Sequence, residues 1–313
     1  MSDYIISAEF SAEVDGLLTD FVRKSRFSEV GGIITDLDGT AVLKRDGRSF
    51  VSRPVEYGLR AIYKSGRAVV LNSLRFPLSV IRTFGKDWLE ISGAPIPVVS
   101  MNGSQAGYIS YDENGEIVFR EIAAFPLRAE EIDEVLEGVE GLLAGGVREI
   151  LLFYYPRDWR LGEIIWTPAA DRIEHVREKY RNASAVSAVE FENLRTQLHT
   201  AEICMIFLLI DRSSDDLMAY RHSKPGSFFT RKGIDKLSGT QAVADYLGID
   251  LDHSIGAGDA RMDCFLSGVG LMVQVGSAAL DFKGKTATIK LRDQSEFGDL
   301  LFRIAELSAG VKA

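Results

Sequence analysis

The stretch Gly31-Gly32-Ile33-Ile34-Thr35-Asp36-Leu37-Asp38-Gly39-Thr40 decides how the rest of the chain is read. Its first half is a short apolar run with β-branched residues behind a glycine pair, the pattern of a buried central strand. Its second half places two carboxylates, Asp36 and Asp38, where that strand runs out. In open α/β sheets, ligands bind in the crevice outside the carboxyl ends of the strands. Gly39 lets the backbone turn sharply after the second aspartate, and Thr40 adds a hydroxyl beside it. Aspartate-rich turns with glycine are also ordinary loop chemistry, so the reading leans on the strand in front and on partners found downstream.

Two aspartates one residue apart suit phosphoryl transfer. Asp36 can attack phosphorus to form an aspartyl phosphate, and Asp38, on the same turn, can pass a proton to the leaving oxygen. One member must be ionised and the other able to hold a proton, a split that mutual repulsion favours.

Downstream, residues 54–65 read as a crossover helix, opened by Ser52 and Pro54 and closed by Gly66, with Val55, Leu59, Ile62 and Tyr63 on one face. Ala68-Val69-Val70-Leu71 follows as a second buried strand, and a strand, helix, strand succession implies a parallel pair with a right-handed crossover. Asn72-Ser73-Leu74-Arg75 then lies at the same sheet edge as Asp36, where the Ser73 hydroxyl can donate to a phosphate oxygen. Residues 44–48 are polar and glycine-bearing, which predicts a mobile loop near the site. A helix over 78–91, a strand at 97–100, the step Asn102-Gly103 and a hairpin over 106–122 come next.

Between 124 and 225 the pattern changes to an α/β insert without a nucleophile pattern of its own. It predicts a helix through Leu127, Ile132, Val135, Leu136, Val139 and Leu142, strands at 148–154, 162–167 and 202–210, and helices at 169–181 and 213–221. Trp159, Arg160, His199 and Glu202 are its candidate substrate contacts. Near Gly226 the first pattern resumes. Lys236 opens a helix, a place that the macrodipole makes unfavourable for a cation, so a role in neutralising carboxylate and phosphate charge follows; Lys232 is its competitor. Finally a short strand runs into Gly258-Asp259, with Asp263 four residues on. Four acids in one crevice repel one another unless a cation joins them. Oxygen-only ligands point to Mg²⁺ rather than zinc.

These motifs resemble the haloacid dehalogenase (HAD) superfamily of Mg²⁺-dependent phosphatases, and within it the Cof-type, subclass IIB proteins with a large α/β cap, which include sugar phosphatases. The resemblance covers nearly everything after about residue 30. It implies a Rossmann-like, doubly wound parallel α/β sheet over 1–123 and 226–313, with an inserted α/β cap over 124–225 for substrate recognition. Residues 1–29 add an amphipathic helix, expected to pack on the core or on another subunit. Catalytic roles are implied for Asp36, Asp38 and Lys236, and phosphate or substrate contacts for Thr40, Ser73, Leu74, Arg75, Asn102 and Gly103. Mg²⁺ is implied on Asp36, the Asp38 carbonyl and Asp259, with Asp263 a ligand or a support. The chain departs from the pattern twice. Ser73-Leu74-Arg75 stands where Thr-Gly-Arg is usual, and Met262 replaces the asparagine of Gly-Asp-x-x-Asn-Asp.

The 313 residues are 46% hydrophobic and 26% charged, ample for one large or two modest cores. A net charge of -9 argues against nonspecific nucleic-acid or anionic-membrane binding. No run approaches membrane-spanning length, Met1-Ser2-Asp3-Tyr4 does not begin like a secretion signal, and the cytoplasm is the expectation. Cys204 and Cys264 each sit in apolar stretches and read as buried thiols. The expected function is hydrolysis of a small phosphorylated metabolite, a sugar phosphate by resemblance, in a monomer or homodimer. A phosphosugar mutase or phosphotransferase on the same site, or a catalytically weakened phosphate-binding protein, are the alternatives.

Overall fold

A computed structural model describes residues 10–45, 48–211 and 228–310. The chain runs through α1 (Ala12–Lys24), α2 (Phe27–Val30), β1 (Ile33–Asp36), β2 (Val42–Arg45), β3 (Arg48–Val51), α3 (Arg53–Lys64) and β4 (Val69–Asn72). A bent helix follows: α4 (Pro77–Val80), a π turn (Ile81–Gly85) and α5 (Lys86–Ser92). Then come β5 (Ile96–Ser100), β6 (Gln105–Tyr111) and β7 (Ile117–Ala124). The second region holds α6 (Ala129–Ala144), β8 (Ile150–Pro156), β9 (Ile164–Trp166), α7 (Ile173–Lys179), β10 (Ala185–Ser187), α8 (Phe191–Thr200), β11 (Ile203–Ile210) and β12 (Phe228–Phe229). The last elements are α9 (Lys236–Leu247), β13 (Ile255–Gly258), β14 (Leu271–Val275), β15 (Ala287–Leu291) and α10 (Gln294–Gly310).

The large sheet has the order β15-β14-β13-β1-β4-β5-β6-β7, parallel from β15 to β5 and antiparallel for β6 and β7. This is the mixed α/β, doubly wound arrangement that the motifs imply. β1 is wholly buried, and its side chains alternate between two cores. Ile33 packs with α1, α3, α5 and α10 on one face, and Ile34 with Val243 and Ala244 of α9 on the other. β1 is also the switch point: the chain leaves it for β4 on one side and returns to β13 on the other, which opens a crevice at its carboxyl end.

α1 is begun by Ser11, whose hydroxyl accepts from the Val14 amide. Leu18, Phe21 and Val22 are buried in the first core, and Arg303 of α10 pairs with Asp15. Of the two expected packing partners, the core is the one observed. Of the stretch 44–48, expected to be mobile, residues 46–47 lie outside the described residues; on either side β2 and β3 pair antiparallel with Lys44 opposite Ser49, where Val42, Leu43, Phe50 and Val51 supply strand-forming residues.

The second sheet has the order β10-β9-β8-β11-β12. Pairing of β12 with β11 carries this sheet beyond residue 225. β10 and α8 have no counterpart in the sequence reading. α8 buries only Leu194 and Leu198, too narrow a stripe to stand out, yet each contributes roughly 1.5–3 kcal/mol by burial. The helix expected at 213–221 lies outside the described residues. No described helix is long and apolar enough to cross a membrane.

α3 and α10 cross at two glycines. A Cβ on Gly58 would meet the Gly298 carbonyl oxygen at 2.4 Å. Gly58→Ala is therefore expected to destabilise the chain by roughly 1–3 kcal/mol, read as a lower urea midpoint at unchanged slope, whereas Gly66→Ala, with nothing within 4 Å, answers only to its left-handed backbone.

Candidate active site

Three strand ends meet at the crevice. β1 delivers Asp36, adjacent β4 delivers Asn72 and then Ser73, and β13 delivers Asp259 just past Gly258, because these strands are neighbours in parallel register. α9 brings Lys236. Its helix is capped by Asp235, whose side chain accepts from the Leu237 and Ser238 amides while Ser238 reciprocates. This carboxylate at the cap offsets the unfavourable placement of a lysine at the first helical position.

Lys236 is 1% exposed, and its ammonium donates to Asp36 at 2.5 Å and to Asp263 at 2.6 Å. Asp263 is fully buried; its second oxygen accepts from the backbone amides of Asp259 and Ala260 at 3.0 and 2.9 Å. Burial alone would pull the Lys236 ammonium down, but Asp263 and Asp36 outweigh it and hold it above its ordinary range. Burial pushes the Asp36 carboxyl well up, against the pull of Lys236 and with help from Asp263 and Asp259. Burial, then Asp263, likewise lift Asp259 to about 6. One ammonium among three carboxylates leaves an excess of negative charge.

That excess is the test of the Mg²⁺ expectation. Carboxylate oxygens of Asp36, Asp259 and Asp263 lie within 4.8 Å of one another, an all-oxygen donor set of the kind hard divalent cations take. The residues fit such an ion. Asp263, with one oxygen on Lys236 and the other on two amides, reads as a support for the group more than as a direct ligand. The Asp38 side chain is directed elsewhere: both of its oxygens accept from Arg75, at 2.6 and 2.7 Å. Arg75 also lies over the Phe84 ring of the π turn.

The remaining expected residues separate. Ser73 lines the cavity, and its hydroxyl accepts from the Arg75 amide at 3.1 Å, so its own proton is available to donate. Leu74 lines the cavity as an apolar wall. Thr40 is not at the surface of the cavity; it is fully buried and donates to Asp259 at 3.3 Å, which makes it a positioner of that carboxylate. Asn102 and Gly103 also give way to a supporting role. Met101, Asn102 and Gly103 all have positive φ, and a Cβ on Gly103 would meet the Asp235 carbonyl oxygen at 1.9 Å. The turn is wrapped under the start of α9, where only glycine fits. Lys232, the competitor of Lys236, is exposed and pairs with Glu134. Of the insert's four candidates, Arg160 is exposed, His199 bonds Asp133, Glu202 pairs with Arg157 and Trp159 packs against the first core.

Asn72 escaped the sequence reading. Its amide donates to the Lys236 carbonyl at 3.0 Å and to Thr240 at 2.6 Å, clamping α9 against β4. A polar residue ending a buried strand just before Ser73 was the signal. Gly39 was foreseen for its turn, but it also clears space: with φ of 97°, a Cβ there would meet Asp259 Oδ2 at 2.2 Å.

The crevice is a cavity of about 980 Å³. The acids and Lys236 form its floor, and Tyr155, Met205, Phe207 and Phe228 of the second sheet form its roof. Lys44 and Arg82 stand at its mouth.

A sequence model of the haloacid dehalogenase-like hydrolases matches residues 33–290. A search of curated proteins finds no match. Among solved structures, a phosphatase of the haloalkanoate (HAD) enzyme superfamily from Bacteroides thetaiotaomicron is similar with TM-score 0.59 and 15% identity, covering 91% of this chain and 96% of that one. A HAD subclass IIB sugar phosphatase is similar with TM-score 0.59 and 17% identity, covering 90% and 99%. A Thermotoga maritima protein gives 0.56 and 16%, covering 88% and 97%. At these identities the likeness is one of fold.

With chelator present, the raised Asp259 carboxyl has a definite consequence. Unfolded, it loses its proton near 3.8; folded, near 6. Between these values the folded state holds more protons, so raising the pH destabilises it. Asp259→Asn is expected to be more stable than the natural chain above about pH 6, with the gap closing toward pH 4, as followed by denaturant midpoints. In the same assay Lys236→Met is expected to lose about 3–5 kcal/mol by stranding two buried carboxylates.

Proposed function

The chain belongs to the haloacid dehalogenase-like hydrolases, and on that premise we propose that it is a phosphoric monoester hydrolase acting on a small phosphorylated metabolite. The observation that carries the reading is the buried ammonium of Lys236 bridging Asp36 and Asp263 beside Asp259 at the floor of a cavity. A buried lysine held charged among carboxylates suits a site that receives further negative charge.

In the proposed reaction Asp36 attacks phosphorus. A bond forms from its carboxylate oxygen as the ester bond to the leaving oxygen breaks, and Asp38 supplies the proton that oxygen needs. Water then gives a proton back to Asp38 as its oxygen bonds phosphorus and the bond from Asp36 to phosphorus breaks, which frees phosphate and restores Asp36. Both Asp38 oxygens accept from Arg75 in the unliganded arrangement, so the acid role requires this pair to loosen. Phosphate oxygens compete for the same guanidinium fork, which couples arrival of substrate to release of Asp38. Ser73 would orient the phosphoryl group with its hydroxyl, and Lys236 would restrain Asp36 and balance charge. Mg²⁺, when bound, supplies further compensation for the phosphoryl charge; Asp36, Asp259 and the Asp38 carbonyl are the groups proposed to hold it.

The insert over 124–225, continued by β12, is proposed as the cap that excludes bulk water and recognises the leaving group. A cytoplasmic location fits the acidic balance of the chain.

Phosphate release from a panel of phosphate esters with Mg²⁺ tests the reading. Asp36→Asn is expected to lower it at least about 10³-fold while keeping a cooperative thermal transition. Full activity in that variant would remove the nucleophile from the scheme. Arg75→Lys, which keeps charge but loses the fork, is expected to raise KM for every substrate.

A further inference from the structure

We infer that the leaving group accepted by this cavity carries a flat, apolar ring rather than a sugar or other polyol. The inference rests on the phosphoryl-transfer reading above and narrows it to a substrate class. It comes from the walls. Tyr155 of β8 and Met205 and Phe207 of β11 are 4–6% exposed and line the roof, joined by Phe228 of β12. The hydroxyl of Tyr155 donates at 2.6 Å to Glu163, which is itself buried and does not line the cavity. The ring of Tyr155 is therefore what it offers to the cavity, its polar end being engaged within the insert.

The floor side agrees. Leu74 and Met262, the two positions at which the chain departs from the pattern it resembles, both line the cavity with apolar side chains. Leu74 packs with the same apolar cluster as Phe207, Met205 and Phe228, so this wall is continuous across the two sheets. Among the described residues, Asn182 is the one polar side chain that the second region contributes to the lining. Lys44, Arg82 and Thr83 are exposed at the mouth and stay hydrated there, suited to attracting an anion.

A sugar seated against these walls would turn the hydroxyls on its roof-facing side toward one amide among the described residues, since Ser49, Ser79 and Thr83 line the cavity from the first region. Each hydroxyl buried without a partner loses roughly tenfold in binding, and an asparagine cannot answer them all. A flat ring has the opposite balance. Its faces are matched by aromatic edges and by methionine, which fills irregular gaps and favours contact with aromatic rings.

The test is a ratio. With Mg²⁺ and the full chain, kcat/KM is measured for benzyl phosphate against glucose 6-phosphate and glycerol phosphate, three esters of similarly poor leaving alcohols. Benzyl phosphate is expected to be preferred by roughly tenfold or more. Phe207→Ser is expected to shrink that ratio. Should this buried change prevent folding, Phe228→Ala on the short edge strand carries the test, with thermal melting as the check on folding. Equal or better turnover of glucose 6-phosphate overturns the ring preference and leaves the hydrolase standing. A folded Phe228→Ala chain with an unchanged ratio overturns it too. Phosphate released from none of the three, nor from acetyl phosphate, removes both readings together.

Discussion

The placement of one ammonium group constrains most of what surrounds it. Lys236 sits at the start of a helix, almost without solvent, between two carboxylates that burial would otherwise make untenable. Removing water from such charges is expensive unless they are paired and hydrogen-bonded. The surrounding structure meets that condition by several routes. Asp235 caps the helix, Asn72 clamps it to β4, and backbone amides after β13 take the outer oxygen of Asp263. Two glycines, Gly103 and Gly239, let the helix approach the turn after β5 closely enough to deliver the lysine; a Cβ on Gly239 would lie 2.6 Å from the Gly103 Cα.

The cluster is nevertheless unbalanced. Three carboxylates face one ammonium, and burial, reinforced by the neighbouring carboxylates, pushes up the carboxyls of Asp36 and Asp259. On the proposed reading, a site kept short of positive charge in its resting state is prepared for a cation and a phosphoryl group arriving together. Stability is given up locally so that the charge of the reacting group is met by groups already in place. The Arg75–Asp38 pair adds a second element of readiness, since the guanidinium that holds Asp38 is also the best nearby partner for an incoming phosphate.

Above this charged floor lies an apolar roof, and the contrast between them separates two tasks. On the proposed reading, reaction chemistry is built from strand ends of the large sheet, whereas selection of the leaving group falls to the buried face of the smaller one. The hairpin β2–β3 and the π turn contribute the mouth. A π turn distorts a helix and commonly accompanies functional positions; here it carries Arg82 and Thr83 to the cavity and Phe84 under Arg75.

The sequence by itself determined the sheet and which charged groups would be candidates for the site. Ile33 to Asp36, Val69 to Asn72 and Ile255 to Gly258 are short apolar runs ending in polar residues, and local patterning is enough to make them parallel strands whose ends coincide. Asp36, Asp38, Lys236, Asp259 and Asp263 were legible because charged groups at strand ends and at a helix start contradict local preference. What only the tertiary structure decided is how these groups are partnered. Nothing in the spacing of residues says that Asp38 would turn to Arg75, that Thr40 would serve Asp259, or that Asn102-Gly103 would lie beneath α9 instead of facing a ligand. Nor does it mark Tyr155, Met205 and Phe207 as cavity walls, since along a buried strand every apolar residue looks alike. Those assignments depend on contacts between segments dozens to hundreds of residues apart, and a local pattern of hydrophobicity carries no record of which distant surface a side chain will meet.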